Sequence, residues 1–373
     1  MYVVASTSPC KCMQQTCWKL QLLSLADNHT VDINSWVNQG TWHASRVAEL
    51  INSATTLIEN SELLAKGLSV AKILSGLNVD ANLLVAGIVY EPFNKKEISG
   101  PTIKRVLGEK VHKLVLGVQK IDLMLQANTS KDYPHTTIEA NLQNLDKTLL
   151  MSMETTQAIV IRLAIQVCVM RDAMHADKNT KLDLAYQTQK IFAPLSKRLN
   201  IGSINWELED LAFKFSNPDI YKKIANLLDE RRGERENYIL KIKQQLEERL
   251  KLHDINVNVF GRVKHIYSIW CKMQRKMIDY KAVYDLHAVR IIVPSIIDCY
   301  TALGVVHTLW QHVPQEFDDY ISKPKDNGYK SLHTKIIGLD GKILEAQIRT
   351  PHMHLDAESG VAAHWRYKTE GEA

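Results

Sequence analysis

The spacing of apolar residues changes once along this chain, near His253-Asp254, and that change limits the possible folds more than any other feature. Before it, apolar residues recur every three or four positions over Trp42–Asn60, Leu63–Leu77, Ala81–Tyr90, Thr102–Leu125, Ile138–Met151, Thr155–Met170 and Lys181–Leu199, with Gly, Asn, Pro or Asp between the runs. Such spacing lines one side of a helix, so residues 1–200 read as an all-α domain that ends at the turn Asn200-Ile-Gly202. After it, Val257–Phe260 alternates, Tyr284–Val293 is β-rich, and Leu332–Ile337 and Lys342–Arg349 flank Asp340-Gly341. That last unit has the pattern of a hairpin. Helical stretches at Lys264–Met277 and Asp298–Gln311 separate the strands, so residues 253–373 read as a mixed α/β domain. Between the two, residues 201–252 form strongly charged helices, broken at Asn217-Pro218, that are expected to connect or buttress the second domain.

A chain of 373 residues, 45% hydrophobic and 23% charged, is that of an ordinary globular protein with two or three domains. Disorder, collagen and a small disulfide scaffold are excluded. The apolar stretch Ala158–Met170 is interrupted by Arg162 and Gln166, and reads as too short and too polar to cross about 30 Å of hydrocarbon. The start, Met1-Tyr-Val-Val-Ala-Ser, lacks a basic leader and apolar core. The expected location is cytoplasmic. Cys10, Cys12 and Cys17 are spaced as a zinc half-site without a fourth ligand nearby, whereas Cys168, Cys271 and Cys299 read as buried small hydrophobes.

Charge is concentrated between Gly261 and Lys281, where Arg262, Lys264, Lys272, Arg275, Lys276 and Lys281 face the single acid Asp279, a surplus equal to the +5 of the whole chain. If the helix begins near Lys264, then Lys264, Ser268 and Lys272 share one face. Two ammonium groups and a hydroxyl at the start of a helix, with its free N–H groups, suit a polyphosphate. A solvated basic face is the plainer alternative. Two carboxylates lie in β segments: Asp285 opens Asp-Leu-His-Ala-Val-Arg-Ile, and Glu345 shares a strand face with Gln347 and Arg349. Between them, Ser322-Lys-Pro-Lys-Asp-Asn-Gly-Tyr-Lys-Ser-Leu-His-Thr sets a turn at Asn327-Gly328, with Lys323 and Lys325 for charge and Tyr329 for stacking on a flat base.

Taken in order, Gly-Arg-x-Lys-His-Ile-Tyr-Ser-Ile-Trp, Asp-Leu-x-Ala-Val-Arg-Ile, Lys-Pro-Lys-x-Asn-Gly-Tyr-x-Ser-x-His-Thr, Glu-x-Gln-Ile-Arg-Thr and Gly-Val-Ala-Ala-His-Trp-x-Tyr-Lys resemble the motifs of the RelA/SpoT family of (p)ppGpp synthetases. The resemblance extends over nearly the whole chain. It implies an all-α, degenerate hydrolase-like domain followed by a mixed-sheet, nucleotidyltransferase-like synthetase domain. The implied reaction moves the β,γ-pyrophosphate of ATP to the 3′-hydroxyl of GDP or GTP and releases AMP, as in stringent-response alarmone synthesis. By motif position, Arg262 would stack on adenine, and Lys264, Ser268 and Lys272 would hold the ATP phosphates. Asp285 would ligate Mg2+, and Glu345 would activate the 3′-hydroxyl or share that metal. Tyr329 would stack on guanine, with Lys325, Asn327 and His333 around the same nucleotide and His265, Arg290, Gln347 and Arg349 in support. Long members carry further domains that sense the ribosome and uncharged tRNA, and those lie outside this chain.

Glu316-Phe-Asp-Asp319 resembles the acidic signature of the synthesis-only RelA type, which favours GDP as acceptor; an acidic loop without catalytic consequence is the alternative. In the first domain, the family's metal-binding His-Asp pair is matched by Tyr90 and Glu91, and the later Asp and Asn by Ile165 and Val169. His43, His112 and His135 do not rebuild the site. No intact hydrolase metal site is expected, because these side chains do not make a ligand set for a hard cation. The competing readings are a catalytically silent nucleotide-binding module, a dual-function synthetase and hydrolase, and a nucleotidyltransferase acting on RNA ends. The last would call for a broader basic surface.

Overall fold

A computed structural model of the protein describes residues 44–77, 79–128, 153–230, 232–262, 264–277 and 287–362. The expected helix Ile138–Met151, the cysteines at 10, 12 and 17, His43, His135, Asp285 and the His-Trp motif at 364–365 lie outside these residues. The chain divides into two compact units, residues 1–52 and 53–373. Helix α1, Ala44–Thr56, spans that division.

Helices α2 (Ser61–Ser75), α3 (Ala81–Asn94), α4 (Gly100–Leu107), α5 (Glu109–Asn128) and α6 (Met153–Asp172) form the helical core. Side-chain caps start them: Asn60 accepts from the N–H groups of Glu62 and Leu63, and Asp80 from that of Leu83. Leu83 to Tyr90 of α3 are buried without interruption, so this helix is the centre of the layer. Gly67 lets α2 approach it, since a Cβ there would stand 2.4 Å from the Ile88 carbonyl oxygen. The run Thr102–Leu125, read from spacing as one helix, is two: Gly108 at φ 95° separates α4 from α5. Helix α6 is longer than the apolar stretch seen in the sequence and, with the turn after it, is long and apolar enough to cross a membrane, but 61% of that window is buried inside the protein. It is a core helix.

The stretch Lys181–Leu199 becomes α7 (Lys178–Gln187), a π-helical turn (Thr188–Phe192) and α8 (Ala193–Arg198), with Pro194 directly after the π-helical turn. Three charged helices follow: α9 (Gly202–Ser216), α10 (Pro218–Glu230) and α11 (Arg232–Lys251).

The remaining elements are β1 (Asn258–Gly261), α12 (Ile266–Lys276), β2 (His287–Ile292), α13 (Ile296–Leu309), β3 (Gln311–Asp319), β4 (Leu332–Ile337), β5 (Ile343–Arg349) and α14 (Pro351–Ser359). The strands form one five-stranded sheet in the order β1-β2-β5-β4-β3. Only β2 and β5 run parallel; the other pairs are antiparallel. The β4–β5 hairpin turns at Asp340 and Gly341, both at positive φ. Alternation gives the sheet two unlike faces. Val259, Val289, Ile291, Leu332, Ile336, Leu344, Ala346 and Ile348 point into a core shared with Ile242, Leu246 and Leu250 of α11 and Cys299, Ala302 and Val306 of α13. The opposite face carries the polar residues that sequence had singled out. Cys168 and Cys299 are buried as expected, but Cys271 is only half-buried.

Candidate active site

Glu345 sits mid-strand on β5, opposite Lys335 of β4 and beside Ala288 of β2. Its Oε2 lies 2.6 Å from Lys264 Nζ, its Oε1 lies 3.6 Å from Arg262 Nη1, and Gln347 Nε2 donates to Oε1 at 2.8 Å. Burial alone would raise the carboxyl's pKa, but Lys264 first and Arg262 next outweigh it and hold the group at about 2. Glu345 is therefore an ionised, largely buried carboxylate clamped by two cations. The alternative of an exposed Glu–Arg face is not what forms: Gln347 is 3% and Arg349 1% exposed.

Two details depart from the sequence reading. Lys264 is not on the helix with Ser268 and Lys272, because α12 starts at Ile266 behind His265. The start of α12 is not free either: Asp210 of α9 accepts from the N–H groups of Ile266 at 3.3 Å and Tyr267 at 2.7 Å. Ser268 is exposed and Lys272 half-exposed along the helix. His265, expected only in a supporting role, stacks on Trp206 with centroids 5.1 Å apart and lies 3.5 Å from Asp210 Oδ2.

The loop before β4 brings its own cluster. Gly328 at φ 76° closes the turn, with its N–H donating to the Lys325 carbonyl at 2.8 Å. Tyr329 Oη and His333 Nε2 are 2.8 Å apart, and Lys325 Nζ stands over the rings of Tyr320 at 4.3 Å and Tyr329 at 5.4 Å. Burial lowers the His333 pKa to about 4, so the imidazole is neutral near pH 7. Asn327 accepts from the Tyr329 N–H and donates to Asn200 Oδ1 at 3.0 Å. His333 feels the charges of both Glu345 and Lys325, which links the two clusters.

Arg290 and Arg349 share Glu358 of α14, at 3.1 and 3.7 Å from its Oε1. Burial lowers the pKa of both, that of Arg349 to about 10 with Arg290 adding to it. Arg290 Nε and Arg349 Nε and Nη2 are buried without a hydrogen-bond partner. Among the described residues this polar face holds more guanidinium and ammonium than carboxylate, a balance that favours an anionic ligand. Glu316-Phe-Asp-Asp319 is not a loop but the end of edge strand β3, where Glu316 pairs with Lys335 at 2.5 Å and Asp319 accepts from Tyr300 Oη and from the N–H groups of Ile321 and Ser322.

In the helical region, Tyr90, Glu91, Ile165 and Val169 all line one cavity of about 130 Å3, with Lys66, Cys168 and Asp172. Tyr90 donates to Asp122 of α5, and Arg162 of α6 forms an ion pair with the same carboxylate. The network continues through Arg162 to Gln166 Oε1 at 3.2 Å and from Gln166 Nε2 to Thr188 Oγ1 at 3.1 Å, with Arg162 also 4.7 Å over the Phe192 ring. A guanidinium is the cation that holds these helices together.

Sequence reasoning assigned no role to Trp206, Asp210, Asp122 or Glu358. For the first two a signal existed: they stand four apart and so share a face of α9.

Residues 44–202 match the HD domain family, and residues 261–372 match the region found in RelA / SpoT proteins. The chain is 39% identical over 358 residues to a GTP pyrophosphokinase of Haemophilus influenzae, covering 95% of this chain and 46% of that protein. It is 40% identical over 313 residues to a probable guanosine-3′,5′-bis(diphosphate) 3′-pyrophosphohydrolase of Synechocystis, covering 83% of this chain and 40% of that one. It thus spans less than half the length of either relative. A crystal structure of small alarmone synthetase 1 from Bacillus subtilis, bound to its product pppGpp, is 24% identical with a TM-score of 0.30, covering 40% of this chain and 83% of that one.

Proposed function

We propose that this chain, which belongs to the RelA/SpoT family, is a (p)ppGpp synthetase that transfers the β,γ-pyrophosphate of ATP to the 3′-hydroxyl of GDP or GTP, and that it does not hydrolyse the product. The observation that carries the proposal is the ionised Glu345, clamped by Lys264 and Arg262 and linked through His333 to Tyr329 and Lys325. One side of this arrangement suits a polyphosphate and the other a flat base with its own phosphates.

In the resting site Lys264 is neutralised by Glu345. The ATP phosphates compete for Lys264, with Lys272 and Ser268 along α12, while Arg262 turns to stack on adenine, and as the two cations leave it Glu345 loses what holds its pKa down. It then accepts the proton of the 3′-hydroxyl while that oxygen bonds to the β-phosphorus. The bond from the β-phosphorus to the α,β-bridging oxygen breaks, and AMP leaves with that oxygen. Gln347 fixes the rotamer of Glu345, and Tyr329, packed against His333, offers its ring to guanine. Positioning two nucleotides and neutralising developing charge is most of the work. Glu345, an ionised hard oxygen donor, fits Mg2+, which takes one or two carboxylates together with phosphate oxygens; Asp285 would be the second. Bound there, the metal would withdraw charge from the β- and γ-phosphates.

The absence of hydrolysis is supported by what lines the helical cavity. Ile165 and Val169 offer only carbon, Tyr90 is engaged by Asp122, and the carboxylates of Glu91 and Asp172 have no histidine beside them among the described lining residues. In this reading residues 1–200, 201–252 and 253–373 are a pseudo-hydrolase domain, connecting helices and a synthetase domain. Any dealings with a ribosome and tRNA would run through further domains.

The test is a product assay with Mg2+, GDP or GTP, and ATP labelled in its γ-phosphate, with authentic ppGpp and Mn2+ in a parallel tube. Labelled ppGpp or pppGpp is expected, with Asp285→Asn and Glu345→Gln inactive and the added ppGpp untouched. Absence of labelled product would reject the synthetase reading, and loss of ppGpp would reject the pseudo-hydrolase one.

A further inference from the structure

The ATP-side residues do not stand by themselves. They rest on a segment that is not part of their own domain, the turn after α8 and the first half of α9. Arg262 has its guanidinium carbon 5.5 Å over the ring of Trp206 while its Nη1 faces Glu345 at 3.6 Å, so the side chain is held at both ends. His265, the residue before α12, stacks on the same indole. Four residues on, Asp210 caps α12 through the N–H groups of Ile266 and Tyr267, which fixes the direction in which Ser268 and Lys272 are presented. Phe213, one turn further along α9, packs against Tyr267 at 5.7 Å and Trp270 at 4.8 Å. The same segment reaches the other nucleotide: Asn200, at φ 55°, accepts from Asn327 in the loop that carries Tyr329.

The segment is also tied down where it starts. Asn200 Nδ2 donates to the Asp356 carbonyl at 3.4 Å, Ser203 Oγ donates to the Glu358 carbonyl at 3.2 Å, and the Val361 N–H donates to the Leu199 carbonyl at 3.1 Å. Gly202 and Gly360 make room for this crossing. A Cβ on Gly202 would meet the Ala357 carbonyl oxygen at 2.6 Å, and one on Gly360 the Leu199 carbonyl oxygen at 2.2 Å. An element so anchored transmits its position to what it touches rather than adapting to it.

From these contacts we propose that residues Asn200–Asp210 form a positioning strap for both nucleotide sites: Trp206 and Asp210 set Arg262 and the start of α12 for ATP, and Asn200 sets the Asn327–Tyr329 loop for the acceptor. Trp206 and Asp210 are positioning residues, acting through Arg262, His265 and α12. The proposal rests on the assignment of Arg262, Ser268 and Lys272 to ATP made above. It also makes the junction of the helical domain the place where a change in that domain would be felt at the active site.

Steady-state kinetics with each nucleotide varied in turn tests it. Trp206→Ala and Asp210→Asn should each raise KM for ATP about tenfold, the size of a lost cation–π contact or charged cap, with KM for GTP within about twofold of wild type. Trp206→Phe, which keeps an aromatic face under Arg262, should recover most of the loss, and Trp206→Leu should not. Asn200→Gly, which tolerates the positive φ, should do the reverse and raise KM for GTP about threefold with ATP unchanged. Arg162→Met is the structural control, because it breaks the ion pair with Asp122 between helices outside the strap and should lower Tm without moving either KM. Unchanged KM for ATP in both Trp206→Ala and Asp210→Asn, or an equal rise for both nucleotides, would overturn the strap.

Calorimetric titration with α,β-methylene ATP separates this outcome from failure of the synthetase reading. If wild type makes no product yet binds the analogue, about tenfold weaker binding by Trp206→Ala still supports the strap and equal binding rejects it. No binding by wild type rejects both.

Discussion

Glu345→Gln removes one charge and almost no volume, and its effect on stability follows from the site's electrostatics. The carboxyl is 15% exposed and is held at about 2 against an ordinary 4.5. That displacement corresponds to about 3 kcal/mol of folding stability. The pKa is depressed in the folded state, so this contribution is complete above pH 4.5 and is lost as pH falls toward 2. The variant also leaves Lys264 and Arg262 facing an amide, which turns the stabilising pair into buried like charges. Urea unfolding should therefore show Glu345→Gln less stable than wild type by about 3 kcal/mol at pH 7, with the gap shrinking below about 1.5 kcal/mol by pH 3, and with the slope of the urea dependence unchanged. A gap under about 0.5 kcal/mol at pH 7, or the same gap at both pH values, would show that Glu345 is not the clamped carboxylate described here. The mechanism that releases it from Lys264 would fail with it.

His333 offers a separable pH window. Its folded pKa of about 4 lies below the ordinary 6.5, so the unfolded chain binds more protons between these values and stability rises with pH across them; His333→Asn should flatten the urea stability profile there, and a slope equal to wild type would remove the buried neutral imidazole from the account. Tyr329→Ala should weaken guanine-nucleotide binding by about 1–3 kcal/mol in calorimetry, whereas unchanged affinity would leave the ring a turn residue. Arg162→Met strands the Asp122 carboxylate among α3, α5 and α6 and should cost about 3 kcal/mol in urea while kcat for synthesis stays at wild-type level; a loss under about 1 kcal/mol would mean that the guanidinium does not hold these helices together.

What the sequence disclosed follows the strength of its periodic signals. The helices of the first half and the β4–β5 hairpin were legible because their apolar residues have nowhere to go but the core: Leu83 to Tyr90, or Leu344, Ala346 and Ile348 in alternation. Glu345 was legible for the complementary reason, as a charge in a strand that otherwise feeds a core. Strand β3 was not, because it lies at the sheet edge with mostly exposed side chains and so carries no alternation to read. The split at Gly108 turns on one positive φ that spacing does not reveal. The misplacement of Lys264 has a tertiary cause. Nothing local says that the helix begins two residues later, but Asp210, more than fifty positions earlier, caps it there. The spacing of Trp206 and Asp210 put them on one helix face, but one aromatic and one acid on a charged helix look like a solvated face.

The two halves of the chain deal with buried charge in opposite ways, and the difference fits what each is asked to do. In the helical half, Asp122 receives Tyr90 and Arg162 together, and Arg162 continues into Gln166 and over Phe192. Each of these groups is engaged from within, so no external cation is needed to hold α3, α5 and α6. On the sheet the charges are left incomplete. Among the described residues Arg262 and Lys264 meet Glu345, Arg290 and Arg349 meet Glu358, and buried N–H groups of the last two arginines lack a hydrogen-bond partner. Cations held in this way favour an anion, and under the function proposed above the phosphates would bind to a field already in place rather than one organised at each turnover. The strap at Asn200–Asp210 joins the self-sufficient half to the incomplete one, so the rigidity of the first is available to keep the second assembled while its sites are empty.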